Sequence, residues 1–415
     1  MSLSYFKISL SEILEGERIV TYFQPIISIR KKAIIGFEGL SRGYCKSSDK
    51  IIPPKYLFDE AKAQNKLLEL DVLCRRKGLE AFNKDIHDLD KSKMFFLNFE
   101  VSLINEGTEA AMSLIELVSQ LNIDPLNVIV EIIESRVKDT KALKQFIEVL
   151  KYYGFLIALD DVGVGHSNFD RIAMIKPNLI KIDRSIITNI DKDYYKQEIF
   201  KALINLCRQI GVLVLAEGVE TENEALYSLI FGADMLQGFY FTGPRPIEKK
   251  DDFDSLSEKI NYLSDKYISY EIDNIIRLRG KHKVYDNLIK LLKDKLRSKE
   301  PTQFQSVLED TIHNIPYIDA LYILDEQGFQ VTDTVMLIDE SSIKSKFFKP
   351  GSIGSSHFLK EYYYLLMSTE LKKYTTSTYI SLATGKLCRT ISSVLKRNDQ
   401  LETFILCIDI IERNV

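Results

Sequence analysis

The sequence predicts an α/β chain: a modified (β/α)8 barrel of the TIM type over residues 1–249, a helical linker over 250–300, and a smaller α+β domain over 301–415. Three observations predict it. Eight strand-like runs recur within the first 245 residues. Six of the gaps between them carry helical periodicity, and strands alternating with helices build a parallel sheet that eight strands close into a barrel. The first gap is only "RKK" (30–32). A parallel crossover needs about a dozen residues or more, so the first strand must run antiparallel to the second.

The runs read, in order, "VTYFQPIISI" (20–29), "AIIGFEGL" (33–40), "KMFFLNF" (93–99), "VIVEIIE" (128–134), "LIALDD" (156–161), "LIKID" (179–183), "LVLAEG" (213–218) and "MLQGFYF" (235–241). "TKALKQFIEVLKYYG" and "YKQEIFKALINLCRQIG" are examples of the intervening helices. In the linker, Leu256, Ile260, Leu263 and Tyr267 are spaced four, three and four, which makes one apolar helix face. Gly280 is expected to bend or break this helix, and Pro301 ends the region. Beyond it, "FQSVLEDTIHNI" and "FLKEYYYLLM" read as helices. "DALYILDEQGFQVTDTV", "YTTSTYISL", "KLCRTISSVL" and "ETFILCIDII" read as strands and turns. A few antiparallel strands with helices on one side suggest a PAS- or Cache-like sensor. An unknown small ligand or a protein is one expected partner, with His357, Lys360, Tyr363 and Arg389 as polar candidates; the other reading is a dimerisation or packing surface with no ligand.

Polar residues recur toward the C-terminal ends of the barrel runs, where this architecture builds its sites. They are Glu38, Asn98, Glu131, Asp160, Asp161, Lys181, Asp183, Glu217 and Gln237. Glu, Asn and Asp are hard oxygen ligands suited to Mg²⁺, Mn²⁺ or Ca²⁺. The adjacent pair in "DDVGVGHSN" (160–168) would repel unless cations lay between it and a substrate phosphate. Two ions roughly 3.5–4 Å apart clamp a displacement at phosphorus. Lys181 would then hold or activate the attacking water, or offset charge on the phosphoryl oxygens.

Together these segments resemble the EAL family of cyclic di-GMP phosphodiesterases over roughly residues 15–247. The resemblance rests on "YFQPI", "GFEGLSR" for the signature E-A-L-x-R, "FLNF", "EIIE", "LDDVGVG", "KID", "AEGVE" and "QGFYF", in order and at matching spacing. It implies a hydrolase that opens cyclic di-GMP to linear pGpG at a two-metal Mg²⁺ or Mn²⁺ site. It places Glu38, Asn98, Glu131 and Asp160 on the first metal, and Asp160 and Asp161 on the second. Lys181 would position the water, with Glu217 and Glu38 as its catalytic companions. Arg42, Gln237 and Gln24 would contact substrate, and Glu134 would steady the loop after the fifth strand. In the family that loop couples the metals to a dimer interface, so a homodimer is implied. Four positions depart from the family: Gly39 for the signature alanine, Val162 and Val164 in the loop, and Ile133 for a threonine. They bear on loop ordering more than on metal binding. The alternative is a receptor that binds the dinucleotide without cleaving it. Such receptors commonly lose carboxylates, whereas Glu38, Asn98, Glu131, Asp160, Asp161, Lys181 and Glu217 are all present here. A scaffold that recruits partners through the sensor is a third reading. His166 is expected to pack the loop, Asp183 to support Lys181 or the following loop, and Cys207 to lie in the core.

Composition limits the other classes. The chain is 45% hydrophobic and 27% charged, with net charge −4, which excludes nucleic-acid binding by bulk charge. Five scattered cysteines without a C-x-x-C pair fit a reduced compartment. The N-terminal residues lack a signal peptide's pattern, and no run of 18 or more apolar residues occurs, so a cytoplasmic protein with no membrane span is expected.

Overall fold

A capping box between Ser9 and Glu12 starts the first helix, α1 (Leu10–Glu15), in the computed structural model. The structure describes residues 9–45, 49–100, 104, 108–133, 139–163, 169–247, 255–337, 348–397 and 402–411. They fall in two compact units, Met1–Ile272 and Asp273–Val415.

In the first unit, β1 (Ile19–Ser28) and β2 (Ala33–Cys45) form the antiparallel hairpin that the short turn demands, with Gln24 opposite Glu38. A short β3 (Lys50–Ile52) adds to the far end of β2. Then follow α2 (Pro54–Ala63), α3 (Leu67–Phe82), β4 (Met94–Phe99), α4 (Glu109–Gln120), β5 (Val128–Ile133), α5 (Thr140–Tyr152) and β6 (Leu156–Val162). The unit continues with α6 (Phe169–Ile175), β7 (Leu179–Ile182), α7 (Arg184–Ile187), α8 (Tyr194–Ile210), β8 (Leu213–Ala216), α9 (Glu222–Phe231) and β9 (Met235–Leu236). The sheet order β1-β9-β8-β7-β6-β5-β4-β2 closes through the β1–β2 pairing. Seven of its strands run parallel and β1 runs against both neighbours. The barrel is closed, with the expected antiparallel first strand.

Side chains alternate across a strand, so residues two apart share a face. One interior level holds Ile26, Phe96, Ile129, Ala158, Leu179, Leu215 and Met235, from seven different strands. Gly36 takes the corresponding place in β2, where a Cβ would stand 2.5 Å from the Met94 carbonyl oxygen. The alternate residues, such as Phe95, Leu97, Val130, Ile157, Ile180 and Val214, pack outward beneath the helices. The barrel is therefore a filled core with helices around it.

The helix α10 (Leu256–Leu296) runs through Gly280 without a break. Leu256, Ile260 and Leu263 join the barrel's core, as their spacing predicts. Within the second unit, Tyr285, Leu288, Ile289, Leu292 and Leu296 pack with α11 (Phe304–Ile312) on one face of a six-stranded antiparallel sheet. Its strands are β10 (Ile318–Leu324), β11 (Val335–Met336), β12 (Lys373–Thr375), β13 (Tyr379–Ile380), β14 (Leu387–Lys396) and β15 (Thr403–Ile411). The other face carries α12 (Glu361–Ser368), through Tyr362 and Leu366 on Tyr322, Leu324, Ile405 and Cys407. All five cysteines are buried free thiols. Among the described residues, no helix is long and apolar enough to cross a membrane.

Candidate functional site

The same alternation places the site. Asn98, Glu131, Asp160, Lys181, Glu217 and Gln237 each stand two residues after a member of the interior level, and Glu38 two after Gly36. Gln24 stands two before Ile26, because β1 runs the other way. All eight therefore point inward, one level above the apolar plug, at the C-terminal mouth of the parallel strands.

Lys181 sits at the centre, with a side chain only 1% exposed. Its Nζ lies 2.6 Å from Glu131 Oε1, 2.6 Å from Glu217 Oε1, 3.3 Å from Asp160 Oδ1 and 3.7 Å from Glu38 Oε1. Asn98 donates to Glu38 Oε1 at 2.9 Å, and Gln237 donates to Glu38 Oε2 at 2.6 Å. Gln237 Nε2 also lies 3.3 Å from Gln24 Oε1, and Gln24 in turn donates to the Thr242 carbonyl at 3.2 Å.

Asp161 breaks the alternation and still joins the cluster. The β6–β7 register shifts between Leu159 and Val162, and Asp161 adopts φ 57°. A bulge with one left-handed residue lets neighbours in sequence serve one face. Oxygens of Asp160, Asp161 and Glu217 can thus lie within 4.8 Å of one another. The Asp161 N–H also donates to Asp160 Oδ1 at 2.9 Å.

One ammonium among four carboxylates cannot offset them all. Burial pushes Glu131 well above the usual carboxylate range; Lys181 opposes this, and the charges of Glu38, Asp160 and Glu217 add to it. Burial also pushes Glu217 up to about 8, against Lys181 and with Asp160 and Glu38. For Glu38 burial is outweighed by the Lys181 charge and the bonds from Asn98 and Gln237, which hold it below its ordinary value. Burial disfavours charge on Lys181, but Asp160, Glu131, Glu217 and Glu38 together hold it above the lysine range. Near neutral pH Glu217 thus favours a proton, and burial disfavours charge on Glu131; bound divalent cations would relieve both. The donor set fits hard cations: Glu38, Asn98, Glu131, Asp160 and Asp161 offer only oxygen ligands. Two buried acceptors also await a donor or a cation, since neither Glu131 Oε2 nor Gln237 Oε1 has a hydrogen-bond partner.

Arg42 lies four residues beyond Glu38 on β2. Its Nη1 donates to the Ser41 carbonyl at 2.9 Å and its guanidinium stands 5.5 Å from the Tyr22 ring centre. Asp183 caps α7 by accepting the Ser185 N–H at 2.7 Å, so it holds the turn after β7. Val162 is buried in the barrel core, as is Cys207. Glu134, Val164 and His166 lie outside the described residues. In the second unit, the Tyr363 hydroxyl donates to the Glu326 carbonyl at 2.7 Å and Arg389 donates to Thr378 Oγ1 at 3.4 Å. Lys360 precedes α12 at its N-cap.

Two features escaped the sequence reading. Asp71 and Arg75 form a buried 2.7 Å ion pair on α3; Asp71 accepts the Glu100 N–H at 3.4 Å, and Arg75 lies 4.5 Å over the Phe99 ring. They brace β4 next to Asn98. The available signal was opposite charges at i, i+4 on an otherwise apolar helix face. The second feature is Phe95, whose ring occupies the space beside Gly39.

The pattern that defines the EAL domain family matches residues 8–244. YkuI of Bacillus subtilis (strain 168), an uncharacterised EAL-domain protein, is 25% identical over 395 residues, 93% of this chain and 93% of its own. PdeN of Escherichia coli (strain K12), a probable cyclic di-GMP phosphodiesterase, is 24% identical over 240 residues, 57% of this chain and 45% of its own length. Among solved structures, that of Bacillus subtilis YkuI in complex with substrate c-di-GMP and calcium matches at TM-score 0.79 and 23% identity, over 98% of this chain and 99% of that one. The manganese/cy-diGMP complex of Klebsiella pneumoniae BlrP1 matches at TM-score 0.51 and 24% identity, over 55% of this chain and 57% of that one. At these identities the structural matches speak for the fold.

Proposed function

This chain belongs to the EAL domain family, and on that premise we propose that it hydrolyses cyclic di-GMP to linear pGpG with Mg²⁺ or Mn²⁺, under the control of its C-terminal unit acting as a PAS- or Cache-like sensor. The observation that carries this reading is the inward ring of Glu38, Asn98, Glu131, Asp160, Asp161 and Glu217 around Lys181 at the barrel mouth. The naming of PdeN as a probable cyclic di-GMP phosphodiesterase, and of YkuI and BlrP1 as bound to c-di-GMP with calcium or manganese, supports the substrate and the divalent ions.

In this reading Glu38, Asn98, Glu131 and Asp160 hold one ion, and Asp160 and Asp161 the other. Bound divalent cations would supply Lewis-acid charge at the phosphoryl oxygens and lower the pKa of a coordinated water. Lys181 orients the attacking water through its ammonium hydrogens, and Glu217 accepts a hydrogen bond from the same ammonium. The water oxygen bonds to phosphorus, the bond from phosphorus to the 3′ oxygen breaks, and that oxygen leaves with a proton as the free 3′ hydroxyl. Arg42 offers a two-pronged contact to a phosphate. Gln237 and Gln24 hold Glu38 and the substrate edge. The chain would work as a homodimer, with Glu134 steadying the loop after β6.

The test is incubation of the purified chain with cyclic di-GMP and Mg²⁺ or Mn²⁺, with nucleotides separated by HPLC. Linear pGpG from the wild type and none from Glu38→Ala supports the hydrolase. Binding of cyclic di-GMP without turnover in either metal replaces it with the receptor reading and directs attention to Val162, Val164 and Ile133.

A further inference from the structure

Asn98 is the neutral member of the proposed ligand set, and its support comes from outside the barrel. Its Nδ2 donates to Glu38 Oε1 at 2.9 Å, and a carboxylate only accepts, so Oδ1 is the atom left for a cation. A carboxylate follows a cation through its charge and offers two oxygens. A carboxamide offers one oxygen and a dipole, so its position decides how well it binds. The backbone beneath Asn98 is close to the end of its strand. β4 pairs with β5 through Asn98 with Glu131 and Phe99 with Ile132, whereas its pairing with β2 ends at Leu97 with Gly39. Glu100 lies beyond both ladders.

The Glu100 N–H is taken by a side chain. Asp71 on α3 accepts it on Oδ1 at 3.4 Å and accepts Arg75 Nε on Oδ2 at 2.7 Å. The Arg75 guanidinium lies 4.5 Å over the Phe99 ring, whose centre is 4.6 Å from that of Phe146 on α5. The two residues after Asn98 are therefore both held from α3, Phe99 through its ring and Glu100 through its backbone. Asp71 and Arg75 are each 3% exposed. Withdrawing two charges from water is costly, and an apolar pair of similar size often serves stability as well or better. Such a pair would continue the face that Leu70, Leu73, Cys74, Leu79 and Phe82 already bury. Stability alone therefore gives no reason for an ion pair at this place, whereas the Glu100 N–H gives a reason for the carboxylate, and the carboxylate a reason for the arginine.

We propose that Asp71 and Arg75 are positioning residues for the candidate metal site: the Asp71 carboxylate ties the end of β4 to α3 and so holds Asn98 Oδ1 where a divalent cation binds, and the pair sets metal affinity rather than barrel stability. The inference rests on Asn98 being a metal ligand, as the proposed function has it. Arg75 fixes the second carboxylate oxygen, which leaves the first aimed at Glu100. Both residues act on the cation only through the backbone of residues 98–100. Outer partners that orient a ligand in this way are worth roughly 10–100-fold in metal affinity.

The experiment is calorimetric titration of the full chain with Mn²⁺ alone, beside the melting midpoint without metal. Asn98→Ala should weaken Mn²⁺ binding. Asp71→Leu/Arg75→Met removes the ion pair and the tie to Glu100. It should melt at or above the wild type and yet bind Mn²⁺ roughly 10–100-fold more weakly. Asp71→Asn/Arg75→Met removes the same charges, but its amide oxygen still accepts the Glu100 N–H, and methionine can rest on the Phe99 ring in both variants. Its Mn²⁺ affinity should stay close to that of the wild type. In an Asn98→Ala background, Asp71→Leu/Arg75→Met should weaken Mn²⁺ binding no further, because its effect runs through Asn98. Wild-type Mn²⁺ affinity in Asp71→Leu/Arg75→Met would overturn the proposal. So would an equal loss in Asp71→Asn/Arg75→Met, or the same loss on top of Asn98→Ala. A lower melting midpoint for Asp71→Leu/Arg75→Met, or no folded chain, would make the pair a prop of the barrel and overturn it as well. Undiminished Mn²⁺ binding in Asn98→Ala would remove Asn98 from the metal site, and this inference with it.

Discussion

Gly39→Ala restores the alanine of the family signature, and in this chain it should destabilise the barrel. A Cβ at Gly39 would stand 2.5 Å from both Cε2 and Cζ of Phe95. Carbon atoms rest about 3.5–4.0 Å apart, so the overlap is about 1 Å. Phe95 has little room to retreat. It is fully buried, stacks on Phe82 at 4.8 Å and meets Phe23 at 6.3 Å, and a Cβ on Gly78 would already be 3.3 Å from its ring. Overpacking of this kind costs about 1–3 kcal/mol. Replacing a glycine recovers about 0.4–1 kcal/mol by restricting the unfolded chain. The clash is larger, leaving a net loss of about 1–2 kcal/mol, or roughly 2–8 °C in the barrel's melting midpoint. Differential scanning calorimetry on the full chain, at fixed pH and without metal, measures it. In a Phe95→Leu background the same substitution should cost nothing or stabilise slightly. A Gly39→Ala chain as stable as the wild type, or a cost undiminished by Phe95→Leu, would refute the steric account of this departure.

Lys181→Met leaves four carboxylates, three buried and one half-buried, without their ammonium, so the metal-free barrel should lose about 3–5 kcal/mol by calorimetry, and saturating Mn²⁺ should recover part of that loss. Turnover, measured as pGpG release, should fall by roughly 10²–10⁴-fold. Glu131→Gln keeps an acceptor for Lys181 and removes a charge that burial and three neighbouring carboxylates already disfavour, so it should change metal-free stability by less than about 1 kcal/mol. It should nevertheless remove most of the stabilisation that Mn²⁺ gives at 100 times its Kd, about 2.7 kcal/mol in the wild type; an unchanged Mn²⁺ response would exclude Glu131 as a ligand. His357, pushed down to about 4, favours folding while neutral. Its contribution is full above its unfolded value near pH 6.5 and is lost as pH falls towards 4, up to about 3 kcal/mol before allowance for its partial exposure. Hydrogen exchange on 357–368 should show this acid limb in the wild type and lose it in His357→Gln.

Much of this molecule follows from local rules that a sequence obeys wherever it folds. Alternation of period two decides that Asn98, Glu131, Lys181 and Glu217 face the same way as Phe96, Ile129, Leu179 and Leu215, and the length of "RKK" decides that β1 is antiparallel. Neither fact settles what faces Gln24: a register shift between Ile26 and Ile27 brings Glu38 opposite it. The helix through 256–296 shows the limit of local rules: Gly280 lowers helix propensity by about 1 kcal/mol, and the buried residues on either side outweigh it.

Other properties exist only between distant segments. That Asp160 and Asp161 share a site depends on a bulge and a left-handed φ at Asp161, set by pairing with β7. That Gly39 cannot carry a side chain depends on a ring from the next parallel strand. "FILCIDII" announces an aspartate among apolar residues, yet only the packing of Tyr322, Thr390, Tyr379 and Tyr362 determines what surrounds its carboxyl. Periodicity is a property of a single strand and survives in the sequence. Register, clearance and the count of donors facing an acceptor belong to pairs of strands, and they come into being only when the sheet closes.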